Sequence, residues 1–121
     1  VRVIVCGSRT WTDRDAIWDR LDKLPRPVVI VHGDSRGADS IADDWALRKI
    51  HDERAVGVSV EALPANWRGN GKAAGPIRNS ELARRGADLC LAFRMPGKSN
   101  GTDDMIKKAR AAGIPVEVIL P

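Results

Sequence analysis

The sequence predicts an α/β fold: one domain over residues 1–121, built on a five-stranded, mainly parallel sheet with helices on both faces. Three observations carry this. Five short apolar runs alternate with four stretches of helical periodicity. The first runs are nearly continuous in Val, Ile and Leu, as strands buried on both faces require. Glycine-rich turns follow several of the runs, where a chain leaves a strand to start a helix. Right-handed crossovers between such units give the strand order 3-2-1-4-5.

Val1–Cys6 is the first strand, broken only by Arg2, and Gly7-Ser8-Arg9-Thr10-Trp11 is the loop after it. Thr12 or Asp13 caps the first helix, whose inward stripe is Ile17, Leu21 and Leu24 with Trp18 alongside. Pro25 and Pro27 end it. Val28–Val31 is the second strand and runs into His32-Gly33-Asp34-Ser35-Arg36-Gly37-Ala38-Asp39. Ala38, Ile41, Ala42 and Trp45 stripe the second helix, with Lys49 at its end. Arg48–Arg54 is polar and reads as exposed, including His51.

Val56–Leu63 alternates loosely and reads as a third, weaker strand at an edge. A long loop, Pro64–Pro76, follows, and loops of this length are often functional. Pro76 suits the first turn of a helix with its body at Ile77–Arg85, closed by Gly86. Asp88–Phe93 is the fourth strand. The turn Arg94–Thr102 leads to a helix at Asp103–Ala112 with Met105, Ile106 and Ala109 inward. Gly113 stops it, and Ile114–Leu120 is the fifth strand.

Composition narrows the function. The net charge of +4 favours anionic partners only modestly. With no tyrosine and one phenylalanine, a strand surface of stacking aromatics for single-stranded nucleic acid is hard to assemble. No apolar run approaches the roughly 18 residues that span a bilayer. Val1 suggests a natural N-terminus that has been trimmed or renumbered. Cys6 and Cys90 lie in strand-like runs without metal-ligand spacing; they read as buried thiols of a cytoplasmic protein. The sequence calls for no metal and no cofactor.

In the order 3-2-1-4-5 the winding reverses between the first and fourth strands, and ligands bind beyond the carboxyl ends of the strands at such a reversal. The loops at Gly7, His32, Trp67 and Pro96 meet there. They supply Gly7, Ser8, Arg9, Gly33, Asp34, Ser35, Arg36, Trp67, Lys72, Arg78, Asn79, Gly97, Lys98, Ser99, Gly101 and Thr102 as candidate ligand-binding residues. Glycines admit a close backbone approach, and a helix start favours phosphate. Arginine forks hold phosphate or carboxylate with paired hydrogen bonds. Asp34, Asp39, Asp103 and Asp104 stand at helix starts, where capping is the cheaper explanation; binding a ribose hydroxyl or assisting a water is the alternative. His32 reads as a satisfied structural histidine. Trp67 either packs as a lid over the core or stacks on a base. Trp18 and Trp45 are candidates for a homodimer interface, with core packing the simpler reading.

Several strings resemble a known family. They are Cys6-Gly7-Ser8-Arg9, His32 to Asp39, Pro64-Ala65-Asn66-Trp67, Gly71 to Asn79 and Gly101-Thr102. Together they are similar to the YspA-like, YpsA-related branch of the SLOG superfamily, over nearly the whole chain. The resemblance implies a Rossmann-like fold and a nucleotide-derived ligand, in a bacterial or phage protein. The LOG phosphoribohydrolases are more distantly similar. Cys6-Gly7-Ser8 resembles their first loop and Arg78 their catalytic arginine. Pro96-Gly97 and Gly101-Thr102 resemble the ends of their phosphate motif. Lys98-Ser99-Asn100 lengthens the link between those ends, and Asp103, Asp104 and Met105 stand where a glutamate is expected.

The expected function is a module that senses or sequesters a phosphate-bearing, nucleotide-derived small molecule. The alternative is an N-glycosidase acting on a nucleoside phosphate, with Arg78, Asp103 and Asp104 as candidate catalytic residues. The third reading, nucleic-acid binding as in the DprA-like relatives, is disfavoured by the charge and the missing aromatics.

Overall fold

All five strands lie in one parallel sheet of order β3-β2-β1-β4-β5. The computed structural model describes residues 1–52, 54 and 56–121. The strands are β1 (Arg2–Gly7), β2 (Val28–His32), β3 (Val58–Ala62), β4 (Leu89–Phe93) and β5 (Val116–Ile119). Four long helices alternate with them: α1 (Arg14–Asp22), α2 (Ala38–His51), α4 (Ala74–Arg85) and α5 (Asn100–Ala111). A single turn of helix, α3 (Trp67–Asn70), precedes α4.

The pleat sorts the core into two layers. Val3 and Val5 of β1, Val28 and Ile30 of β2, and Leu91 and Phe93 of β4 face Ile17, Leu21, Ala38, Ala42 and Trp45 of α1 and α2. Ile4, Val31 and Cys90 point to the opposite face, onto Leu82, Ala83, Met105 and Ala109 of α4 and α5. Helices therefore cover both faces, which is why the central strands read as unbroken apolar runs. β3 lies at the edge, with Ser59 and Glu61 exposed.

Side-chain hydrogen bonds fix the helix ends. Asp13 caps α1, its Oδ1 accepting from the Ala16 N–H at 3.2 Å. The Trp45 indole is fully enclosed and donates to Asp22 at 2.9 Å. It is a core residue with no surface to offer an interface. Trp18 packs partly buried between the guanidinium groups of Arg14 and Arg48, and its N–H donates to the Ile41 carbonyl at 3.2 Å. In the polar stretch that ends α2 and follows it, Arg48, His51 and Arg54 are exposed, while Glu53 lies outside the described residues. No helix among the described residues is long and apolar enough to cross a membrane.

Several boundaries differ from expectation, β5 among them, which begins at Val116 rather than Ile114. β3 begins at Val58 because Gly57 takes φ 80°, which turns the chain before the ladder starts. The segment 64–76 is helical through most of its length. Asn66 caps α3 through Gly69 N–H at 3.0 Å, a 3₁₀ turn follows at Gly71–Ala73, and α4 is under way at Ala74. Pro76 thus sits inside the first turn of α4, where its missing N–H costs nothing. α5 begins at Asn100 rather than Asp103, since Asp103 N–H already bonds to the Ser99 carbonyl at 2.8 Å.

Candidate functional site

Two backbone contacts bring the strand-end loops together where the sheet reverses. Ser8 N–H donates to the Phe93 carbonyl at 2.9 Å, tying the end of β1 to that of β4. The Ser8 carbonyl accepts from Ala38 N–H at 3.3 Å, tying the same loop to the start of α2. Such closeness needs a bare backbone at Gly7: a Cβ there would meet the Phe93 carbonyl and stand 2.6 Å from the Ala38 Cβ. The Ser8 side chain completes the join, accepting from Met95 N–H at 2.9 Å and sharing a 2.8 Å hydrogen bond with Ser99 Oγ.

A cavity of about 400 Å³ opens at this join. Gly7, Ser8, Arg9, Gly33, Ser35, Arg78, Asn79, Lys98, Ser99, Gly101 and Thr102 all line it. A second cavity of about 330 Å³ adjoins it, lined by Asp34, Arg36, Pro64, Ala65 and Trp67 and sharing Arg9, Gly33 and Ser35 with the first. Gly97 and Lys72 line neither.

One wall of the larger cavity is the start of α5. Asn100, Gly101 and Thr102 precede the first intrahelical bond, so their N–H groups have no partner within the helix. No side chain caps that end. The helix dipole adds partial positive charge there, and Lys98 stands just ahead of it. Ser99 and the buried Thr102 place hydroxyls on the same wall.

Arg78 and Asp39 also line this cavity. Arg78 leans from α4 and donates to the Gly33 carbonyl and, at 2.8 Å, to Asn79 Oδ1. The guanidinium lies directly over Gly33: a Cβ there would come within 2.5 Å of the Arg78 Cζ, so a side chain at position 33 would shift the arginine. Asp39, 5% exposed, reaches back from the first turn of α2. Its Oδ2 accepts from the N–H groups of Gly33 (3.1 Å) and Ser35 (3.2 Å). Burial lifts its carboxyl to about 6, against those hydrogen bonds, the neighbouring His32 ring and the charge of Arg78, which pull it down. Burial likewise draws the Arg78 guanidinium below its ordinary value, with Asp39 opposing. Asp39 is the functional candidate that capping logic hid. Gly37, not Asp39, is the N-cap of α2, and the carboxylate instead braces the loop from inside the cavity. The visible signal was its spacing, six residues after Gly33 and four after Ser35 in one glycine-rich string.

His32 supports the same loop. Its Nδ1 accepts from Asp34 N–H at 3.0 Å, so Nε2 carries the proton and donates to Asp43 at 2.8 Å. The ring is structural, and it holds Asp34 in the left-handed region at φ 57°.

Asp103 and Asp104 stand apart from the cavities. Asp103 is exposed and grips Arg94 through two bonds, 2.7 and 3.1 Å, which close the turn before α5. That pairing holds its carboxyl below the usual range. Asp104 Oδ2 accepts from Asn79 at 3.0 Å and from Lys108 at 2.9 Å. Helical spacing explains the outcome: Thr102 points inward, so the next two residues rotate away from the cavity. Asp104 instead fixes Asn79, which also donates to the Gly101 carbonyl at 3.2 Å and accepts from Arg78.

Cys6 lines the cavity, and its thiol lies 3.9 Å from that of buried Cys90. The hydrogen bond to Cys90 and burial raise the Cys6 pKa well above normal, which makes it a poor nucleophile. No cluster of three His, Cys, Asp or Glu among the described residues is placed to hold a metal.

A parallel sheet of order 3-2-1-4-5, covered on both faces, with its cavity at the reversal, is a Rossmann-like α/β domain. The model of the YspA, cpYpsA-related SLOG family matches residues 1–69. The chain belongs to that family. It is also 47% identical over 119 residues to the Gene 61 protein of Mycobacterium phage D29, covering 95% of this chain and 93% of that one.

Proposed function

We propose that the protein binds a nucleotide-derived small molecule, holding its phosphate at the start of α5. The observation that carries this reading is the uncapped first turn of a 12-residue helix opening on a cavity with Ser8, Lys98, Ser99 and Thr102 around it. An anion there takes up N–H donors that nothing else in the helix satisfies. Arg78, on the same cavity lining, meets the sugar or a second phosphate oxygen. Membership of a SLOG family agrees with a nucleotide-related ligand.

Calorimetry and thermal melts with AMP, GMP, CMP, UMP and ribose 5-phosphate test the reading. At 100 times Kd a true ligand stabilises the fold by about 2.7 kcal/mol. The useful variant is Gly101→Ala. Its added methyl meets no protein atom within 4 Å and enters open space at the cavity wall. Alanine also suits a helix better than glycine, by roughly 0.5–1 kcal/mol. The variant is expected to melt at the same temperature or higher and to bind phosphate compounds about tenfold or more weakly. If none of the five compounds shifts the melt at millimolar concentration, the proposal is wrong.

Asp39 favours a second reading, cleavage of the N-glycosidic bond of the bound nucleotide. A buried carboxylate on the cavity wall, beside Arg78, is suited to balance positive charge at an anomeric carbon and to take a proton from water. Release of free base from a nucleoside monophosphate, lost in Asp39→Asn, is the expected result. Binding without base release leaves the sensing module as the function.

A further inference from the structure

We infer that the smaller cavity seats the planar base of the bound nucleotide, stacked on Trp67. This rests on the phosphate reading of the larger cavity and assigns the other end of the same ligand.

Three of the four tryptophans are used by the fold. Trp11 is buried, packs edge-on against Phe93 with ring centroids 5.5 Å apart, and donates to the Asp13 carbonyl at 2.8 Å. Trp18 and Trp45 pack and hydrogen-bond as described above. Trp67 is 51% exposed, and its indole N–H bonds to no group among the described residues. It is also held in place. It starts the one-turn helix that Asn66 caps, and its ring edge lies against Gly75, where a Cβ would stand 3.4 Å from Cη2. A large aromatic that is fixed in position yet half bare is a platform for a flat ligand.

The surroundings suit a base. Arg9 places its guanidinium 5.7 Å from the Trp67 ring centroid, so a cation already occupies the face that a base would take. Arg9 belongs to both cavities, and it is the charged side chain they share. A base settling on Trp67 displaces the guanidinium toward the first cavity, where the sugar-phosphate lies. Arg36, exposed and without an ion pair among the described residues, offers donors to ring nitrogens or carbonyls. Asp34 offers an acceptor to an exocyclic amine. Neither group is needed for a bare sugar phosphate, whose chemistry ends in the first cavity.

Tryptophan fluorescence gives the test. AMP and ribose 5-phosphate are titrated, with calorimetry alongside, into the wild type, Trp67→Phe and Trp67→Ala. AMP is expected to quench emission, with the quench lost in both variants because Trp67 is its source. Ribose 5-phosphate is expected to bind about tenfold or more weakly than AMP and without quench. Trp67→Ala should weaken AMP about tenfold and leave ribose 5-phosphate unchanged, while Trp67→Phe keeps most of the AMP affinity. Equal affinity for the two compounds, unaltered by Trp67→Ala, overturns the base seat and leaves phosphate binding standing. Failure of both compounds to bind the wild type overturns the phosphate reading, and this inference with it.

Discussion

Replacing Gly37 by alanine is expected to destabilise the fold by about 3 kcal/mol or more, the largest loss from any single methyl at the site. Two causes add. Gly37 takes φ 75° and ψ −124°, a backbone state that side chains rarely enter. A Cβ there would also collide with the Ser8 carbonyl and come within 2.6 Å of the Arg9 carbonyl. These are backbone atoms pinned between β1 and α2, so no rotamer change relieves them. The Ser8 carbonyl already accepts from Trp11 and Ala38 N–H at 3.2 and 3.3 Å, and moving it costs those bonds too. In urea melts the midpoint should fall sharply, and the melting temperature should drop by on the order of 10 °C. Gly101→Ala, with no atom in its way, is the matched control. Equal melts for the two variants would show that the first loop can yield and that the pocket wall is not rigid.

Strand order, parallel direction and the meeting of the Gly7, His32 and Pro96 loops follow from apolar runs and crossover handedness, which local patterns encode. Side-chain direction within a turn of helix does not follow in the same way. Asp103 and Asp104 stand beside Thr102 in the chain, yet they face Arg94 and Lys108. That outcome depends on where α5 begins, and the start moved three residues from the expected position. Asp39 was hidden for a related reason. Its partners, Gly33 and Ser35 N–H, are donors that any loop residue carries, so composition gave no sign of the contact. The segment 64–76 looked like a loop because its glycines and two prolines argue against helix. Its short turns are held by the Asn66 cap and by packing of Trp67 against Gly75, a contact eight residues along the chain that no helical or strand periodicity signals.

Asp39→Asn is expected to make the protein more stable at neutral pH, by about 2–3 kcal/mol. The folded carboxyl titrates at about 6, against 3.8 in a free chain. The folded state therefore holds more protons than the unfolded state between those values, and stability falls as pH rises through the window. Above about pH 6 the full penalty of a buried charge is present; below about pH 4 it is gone. Asparagine keeps an oxygen that can accept from Gly33 and Ser35 N–H and removes the ionisation. Other carboxylates act in the opposite direction: Glu81, held at about 2 by Arg84 and Arg85, and Asp103, held low by Arg94, favour the fold more as pH rises. The difference between wild type and variant isolates Asp39. Urea unfolding at pH 4 and pH 7.5 should give near-equal stabilities at the lower value and a more stable variant at the higher one. A variant less stable at pH 7.5 would mean that the ionised carboxylate strengthens the loop through Arg78. The same substitution is predicted to abolish any base release, so a gain in stability with a loss of chemistry would mark Asp39 as a residue kept at a cost to the fold. Unchanged base release would place the chemistry elsewhere in the cavity.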